Sequence, residues 1–226
     1  MHNHDVLNFS KFFSNKVNAY FLLNPKKESR ENNLDEIGLK LENTAIPEQV
    51  HGNEIKWVKL PGEYENVDGL ISSNPNLILS LKVADCVPVY LFDPKSQIFG
   101  LIHSGWRGTK GMIVNEGINL MIKKGAQLKD IKCYLGPSIG QCCYEVGDDV
   151  SRFYSSKSKI LLDSNKVKLN IKLEIKLELE RMGVLAKNIN ISHLCTFELS
   201  KFHSYRRDGL EAGRMYATIM IKNELY

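Results

Sequence analysis

No run in this 226-residue chain approaches the roughly 20 consecutive apolar residues that span a bilayer, so no membrane association is expected. Its start, Met1-His2-Asn3-His4-Asp5, lacks the basic opening and apolar middle of a secretory signal, and the expectation is a cytoplasmic protein. The five cysteines, Cys86, Cys133, Cys142, Cys143 and Cys195, are odd in number and never spaced C-x-x-C. That disfavours both a disulfide framework and a Cys-only zinc ribbon, and leaves reduced thiols of which at least one is expected to be functional. No block of five or six like charges occurs. The formal charge of +4 comes from scattered lysines, which gives nucleic-acid binding little support and suits small anionic or polar substrates equally well. Internal repeats and low-complexity segments are missing too. With 43% hydrophobic and 25% charged residues, what remains is an ordinary globular chain.

The length is generous for one compact domain and short for two, so one domain over 1–226 is expected, with an α/β fold that has room for pseudo-symmetric halves. A strand is predicted over 17–23, followed by a polar loop over 24–33 rich in Lys, Glu and Asn. From Gln49 onward, short apolar runs over 54–60, 77–83, 87–92 and 98–102 are separated by Gly, Pro and Asp, the pattern of a buried or half-buried sheet. After Gly108, the residues Ile113, Val114, Gly117, Ile118, Met121 and Ile122 mark one helical face, and Gly125 a C-terminal stop. A strand over 131–135 and a short helix over 147–154 follow. The segment 168–181 alternates with period two yet is rich in helix formers; its length and Gly183 decide for a helix. Strands over 188–191 and 213–222 close the chain.

Three constellations carry chemistry. In the first, Gln49-Val50-His51-Gly52, Ala84-Asp85-Cys86-Val87-Pro88 and Leu101-Ile102-His103-Ser104 each set a soft or borderline donor beside a turn or strand end. If these ends share one sheet edge, His51, Cys86 and His103 form a donor set suited to zinc or copper, with a fourth position open for water or substrate. A metal-free arrangement stays equally open, in which Cys86 is a thiolate nucleophile and His103 its base. The second is Gly105-Trp106-Arg107-Gly108-Thr109, which follows a strand and is expected to open the helix just described; its N–H groups and the Arg107 guanidinium suit phosphate or carboxylate. In the third, Phe202-His203-Ser204-Tyr205-Arg206-Arg207-Asp208-Gly209, Tyr205 offers a ring for stacking and Arg206 or Arg214 a charge for an anion; a solvated basic loop explains it as well. The vicinal Cys142 and Cys143 are too cramped for an easy disulfide, which leaves Cys143 available as a free thiol lining the site. His2 and His4 are expected to be inert.

In order and spacing, these motifs resemble the YfiH-like family over roughly residues 46–226, with Asp68-Gly69-Leu70, Leu135-Gly136-Pro137-Ser138-Ile139, Cys143-Tyr144-Glu145-Val146-Gly147 and Ser204-Tyr205-Arg206-Arg207-Asp208-Gly209 among the matches. Members carry the labels multicopper polyphenol oxidase, laccase-like protein and purine nucleoside phosphorylase. The resemblance implies a layered α/β/β/α sandwich with mixed sheets, of the kind seen in cytotoxic necrotizing factors. It also implies a zinc site, with copper as the alternative metal, whose ligands map onto His51, Cys86 and His103. The implied activity is phosphorolysis of adenosine, inosine, guanosine or methylthioadenosine to the base and a ribose 1-phosphate, with adenosine deamination beside it. On that reading Asp85 is an acid/base or orienting group, Arg107 and Arg206 hold phosphate, and Tyr205 stacks on the purine. The expected partners are a nucleoside and phosphate, for a monomer or homodimer. A Cys–His amidase that edits peptidoglycan precursors and a copper-dependent phenol oxidase are the competing implications. Three copper centres would need more than the six histidines present, which counts against the last. The usual Arg- and Gly-rich turn after the first strand is replaced here by Leu22-Leu23-Asn24-Pro25.

Overall fold

The structure, a computed structural model, describes residues 5–24, 26–162 and 166–222; His2 and His4 lie outside them. Two six-stranded mixed sheets are stacked face to face. The first runs in the order β1 (Val6–Asn8), β2 (Val17–Leu22), β15 (Met215–Ile221), β7 (Ile78–Val83), β3 (Thr44–Pro47), β5 (Gly62–Tyr64). The second runs β14 (Ile189–Ile191), β10 (Lys132–Leu135), β8 (Val87–Asp93), β9 (Ile98–Ser104), β6 (Gly69–Ser72), β4 (Ile55–Trp57). A small third sheet joins β11 (Glu145–Val146), β13 (Val167–Leu169) and β12 (Lys159–Leu161).

Alternation along the strands divides the apolar residues between two cores. Phe21, Leu79, Leu81, Ala217 and Ile219 of the first sheet meet Leu70, Tyr90, Phe92, Phe99 and Leu101 of the second, as inner faces of stacked sheets do. Val87, Val89, Leu91 and Ile102 point the other way, toward α3 (Ile113–Lys123) and α5 (Ile171–Met182). Helix α3 buries Ile113, Val114, Ile118 and Met121 there, each worth about 1.5–3 kcal/mol of transfer free energy. On the outer side of the first sheet, Arg30 of α1 (Arg30–Asp35) stacks over the Tyr216 ring at 5.3 Å. The layering is therefore α/β/β/α. No helix among the described residues is long and apolar enough to cross a membrane.

Several local readings are corrected. The polar stretch 24–33 is not all loop, because Ser29 caps α1 by accepting the Asn32 N–H at 3.2 Å. The ambiguous segment 168–181 contains both answers: its start belongs to β13, and Asn170 caps α5 by accepting the Leu173 N–H at 2.9 Å. Gly105-Trp106-Arg107 does not open the long helix. It opens the separate short α2 (Trp106–Lys110), and Met112, at φ 59°, turns the chain before α3 begins.

Two of the connections pass from one sheet to the other at the same end of the sandwich. Residues 48–54 lead from β3 into β4, and Ala84-Asp85-Cys86 lead from β7 into β8. The two sheets are also tied internally, where the fully buried Tyr90 hydroxyl donates to the Tyr20 carbonyl at 2.8 Å. Replacing Tyr90 by Phe should cost about 0.5–1.5 kcal/mol, the net worth of one hydrogen bond, since the Tyr20 carbonyl keeps its place in the β2–β15 pairing. Denaturant unfolding should show a lower midpoint at unchanged slope.

Candidate active site

The sheet-to-sheet crossings determine where the donors go. Pro88 pairs with His103 and Val87 with Ser104, so Cys86, one residue before β8, lies beside the end of β9 that carries His103. His51 arrives from the other crossing. The three ligand atoms lie within 4.8 Å of one another, with His51 exposed, Cys86 half-buried and His103 buried. Thus the structure brings together His51, Cys86 and His103, although they come from two sheet-to-sheet connections and one strand rather than from one sheet edge.

Asp68, fully buried one residue before β6, holds this arrangement. Its carboxylate accepts the backbone N–H groups of Val50, His51 and Gly52 at 3.2, 3.0 and 2.7 Å, and its Oδ1 lies 2.8 Å from His103 Nδ1. Burial opposes its charge, but the His103 contact and the N–H groups prevail and lower its pKa. His51 sits at φ 60°, a conformation that a non-glycine residue keeps only where its surroundings enforce it. With Nδ1 engaged, His103 presents Nε2 to the cluster, the usual orientation of a ligand histidine backed by a carboxylate.

Electrostatics favour a thiolate. Burial opposes charge on Cys86, yet His103 and His51 outweigh it and bring its pKa down to about 6. Burial likewise opposes charge on His103, but Cys86 and Asp68 raise it to about 9. Gly105 packs against the sulfur: a Cβ there would stand 2.8 Å from Cys86 Sγ and 3.7 Å from His51 Cδ2. No larger residue fits without moving a donor.

The cluster forms one wall of a cleft of about 670 Å³, within the range of small-molecule sites. Arg107 is exposed on the rim, with its guanidinium 4.4 Å from the Trp106 ring centre. Arg206 lies 5.1 Å from the Tyr144 ring centre and donates to the Glu145 carbonyl at 2.7 Å. Tyr205, half-exposed, and Arg214 complete that side. Asp85, at φ 84°, also lines the cleft, but its carboxylate is engaged by groups other than the three clustered donors. Its carboxylate accepts from Thr196 Oγ1 at 2.6 Å, Ser204 Oγ at 2.9 Å and the Arg206 N–H at 2.7 Å, so it anchors the Tyr205–Arg206 segment. Gln49 extends the β3–β7 pairing with its side-chain amide, bonding both Lys82 N and Lys82 O.

Cys143 does not line this cleft. It sits with Cys142 and Cys195 outside it, and its neighbour Tyr144 takes the place expected of it. Asp68, Gly105 and Tyr144 lie within the quoted motifs but carried no readable role in sequence. A lone Asp before a glycine looks like any turn.

The profile of the family described as multi-copper polyphenol oxidoreductase laccase matches residues 25–222. The chain is 32% identical over 198 residues to a purine nucleoside phosphorylase of Deinococcus radiodurans, covering 86% of this chain and 77% of that protein. It is 30% identical over 205 residues to adenosine deaminase RL5 from an unknown prokaryotic organism, covering 83% and 78%. Among solved structures, the hypothetical protein YfiH of Bacillus licheniformis superposes with a TM-score of 0.88 at 27% identity, covering 98% of both chains.

Two outcomes test this geometry. Asp68→Asn should weaken metal binding by about 10–100-fold in a chelator competition, because an amide cannot accept from every donor the carboxylate now serves. In metal-free protein, alkylation of Cys86 should stay fast as pH falls from 9 to about 6 and drop only below it, whereas an ordinary thiol slows throughout that interval.

Proposed function

The chain belongs to the multi-copper polyphenol oxidoreductase laccase family, the YfiH-like family, and from that membership we propose a metal-dependent enzyme that phosphorolyses purine nucleosides. The observation that carries the proposal is the convergence of two imidazoles and one thiolate on one wall of a cleft rimmed by arginines.

The residues fit a single zinc ion, or copper. Cys86 is poised as a thiolate, His103 turns the nitrogen not engaged by Asp68 toward that sulfur, and Gly105 gives the sulfur room. Three protein donors leave one position for another ligand, which is the pattern of a catalytic rather than a structural site. When bound, the ion supplies Lewis acidity to a substrate oxygen or nitrogen, or to water.

The chain's own groups do the rest. Arg107, Arg206 and Arg214 give the cleft fixed positive charge and forked donors that suit phosphate. Tyr205, Tyr144 and Trp106 offer aromatic faces to a purine. Asp85 acts as an orienting group, since three donors already occupy its carboxylate and fix the Arg206 backbone. In phosphorolysis a phosphate oxygen bonds to C1′ of the ribose as the bond from C1′ to the base nitrogen breaks, and the departing base takes up a proton. A cleft that holds phosphate and purine together supplies the alignment this displacement needs. Deamination of adenosine, the activity named for the relative RL5, is a different displacement in the same cleft: water adds at purine C6 and ammonia leaves, with the bond from C1′ to the base kept.

A second reading rests on the Cys86–His103 pair, whose charges also suit a Cys–His hydrolase acting on an amide. Chelation separates the two. The leading reading predicts phosphate-dependent release of base from adenosine or inosine that a chelator abolishes and that Cys86→Ala removes together with the metal. Purified protein that holds no metal and releases neither base nor ammonia ends it; amide hydrolysis indifferent to chelators would favour the second. Arg206→Ala should raise the KM for phosphate by about 10–100-fold, the loss of a charge-assisted hydrogen bond worth about 1.5–3 kcal/mol.

A further inference from the structure

Outside the cleft, a second group of thiols is assembled from two distant segments. Cys142 and Cys143 lie in the turn after Gly140, and Cys195 lies in the connection that follows β14. The segments are joined by a parallel bridge between Ser138 and Cys195 and by the Thr196 N–H donating to the Ser138 carbonyl at 3.1 Å. The three Sγ atoms fall within 4.8 Å of one another, Cys142 and Cys143 being 3.3 Å apart. All five cysteines are free thiols.

Several features look built around these sulfurs. A Cβ on Gly140 would stand 3.1 Å from Cys142 Sγ and 3.4 Å from Cys195 Sγ, so the turn packs tightly on the group and a side chain there would have to push the sulfurs aside by a few tenths of an ångström. The Gly140 N–H donates to Cys195 Sγ at 3.2 Å. Burial opposes charge on Cys195, but this N–H and those of Glu198 and Phe197 outweigh it and lower its pKa. Nearby, the buried Lys172 ammonium donates to the carbonyls of Ser192 and Leu194 at 2.7 and 3.3 Å and has no carboxylate partner among the described ion pairs. Burial pulls its pKa down to about 8 against the raising pull of Cys195 and Cys142, so below that pH its positive charge offsets the negative charge that several thiolates would gather. Cys142 is exposed, and Cys143 lines a shallow surface cavity of about 420 Å³ with Glu145, Lys166, Phe197 and Arg206, so the group is reachable from solvent.

We infer that Cys142, Cys143 and Cys195 form a second metal site, distinct from the cleft, that takes a soft monovalent cation of the copper(I) class in three-coordinate sulfur. The donor chemistry decides the class. An all-sulfur set with no imidazole selects soft ions, while structural zinc takes four protein ligands and iron–sulfur clusters four thiolates. The Glu198 carboxylate lies 3.8 Å from Cys142 Sγ, but it offers an oxygen, which a soft ion leaves aside. Each thiol that ligates gives up its proton to solvent, so affinity rises with pH. Without a cation, Cys142 and Cys143 keep their protons, because burial pushes both upward, aided at Cys142 by both neighbouring sulfurs and at Cys143 by Cys195 against the lowering contact with Cys142.

The test uses the full chain, reduced, anaerobic and pre-loaded with zinc, titrated with copper(I) delivered from a competing chromophoric chelator. One copper(I) per chain should bind with the zinc retained and a sulfur-to-copper charge-transfer band. Cys142→Ser and Cys143→Ser should each weaken that binding by more than the about 10–100-fold that loss of a merely supporting contact brings, at unchanged zinc content. Cys195→Ser removes a buried group and is used only if its circular dichroism matches that of the parent; the exposed Cys142 keeps the test decisive. The same titration of Cys86→Ala should still yield one copper(I), which separates this site from the fate of the one in the cleft. Copper(I) that displaces zinc mole for mole, binding unaffected by Cys142→Ser, or a second equivalent of zinc that binds more tightly than copper(I) would overturn the inference.

Discussion

One buried carboxylate holds the centre of this molecule together. Asp68 accepts three successive N–H groups from the 50–52 turn and faces the His103 ring, so a loop from one sheet and a strand of the other answer to the same charge. A carboxylate removed from water is costly unless its oxygens are saturated, and here both are. Satisfying it enforces the left-handed backbone of His51 and fixes which nitrogen His103 presents. Two of the three clustered side chains are thus set by a residue that lies behind them.

The sandwich makes such a meeting possible. A chain that builds two stacked sheets must cross between them, and crossings at one end place loop residues over the seam. Residues 48–54 and 84–86 are two of those crossings, and both carry donors. Asp85 and Cys86 are adjacent but serve opposite directions: Cys86 faces the cluster, while Asp85 reaches back to Thr196, Ser204 and Arg206. A three-residue link therefore connects the donor wall of the cleft with the side that carries Tyr205 and Arg206. The left-handed backbone at Asp85 is the local cost of that sharp passage.

The cysteines divide by the same logic. Cys133 lies in a wholly apolar setting, where burial pushes its thiol well above the ordinary range and keeps it inert. Cys86 gains charge from its imidazole neighbours. Cys142, Cys143 and Cys195 have one another, backbone donors and a lysine. Environment, not residue type, sorts one set of thiols into three chemistries.

What could be read from sequence was local. Continuous apolar runs identified the strands around 78–83, 87–93 and 98–104, and the 3.6-residue spacing of Ile113, Val114, Ile118 and Met121 marked α3, because those patterns depend only on which face is buried. The β13–α5 junction was blurred, since a strand and a helix meet there with a single Asn170 cap between them. His51, Cys86 and His103 were legible as donor types, and the family's motifs tied them to one chemistry. That Asp68 binds two of them into place, that Tyr144 rather than Cys143 enters the cleft, and that three other thiols share a corner were decided by tertiary structure alone. Periodicity records which way a side chain faces on its own element; it holds no record of which distant element will be standing there.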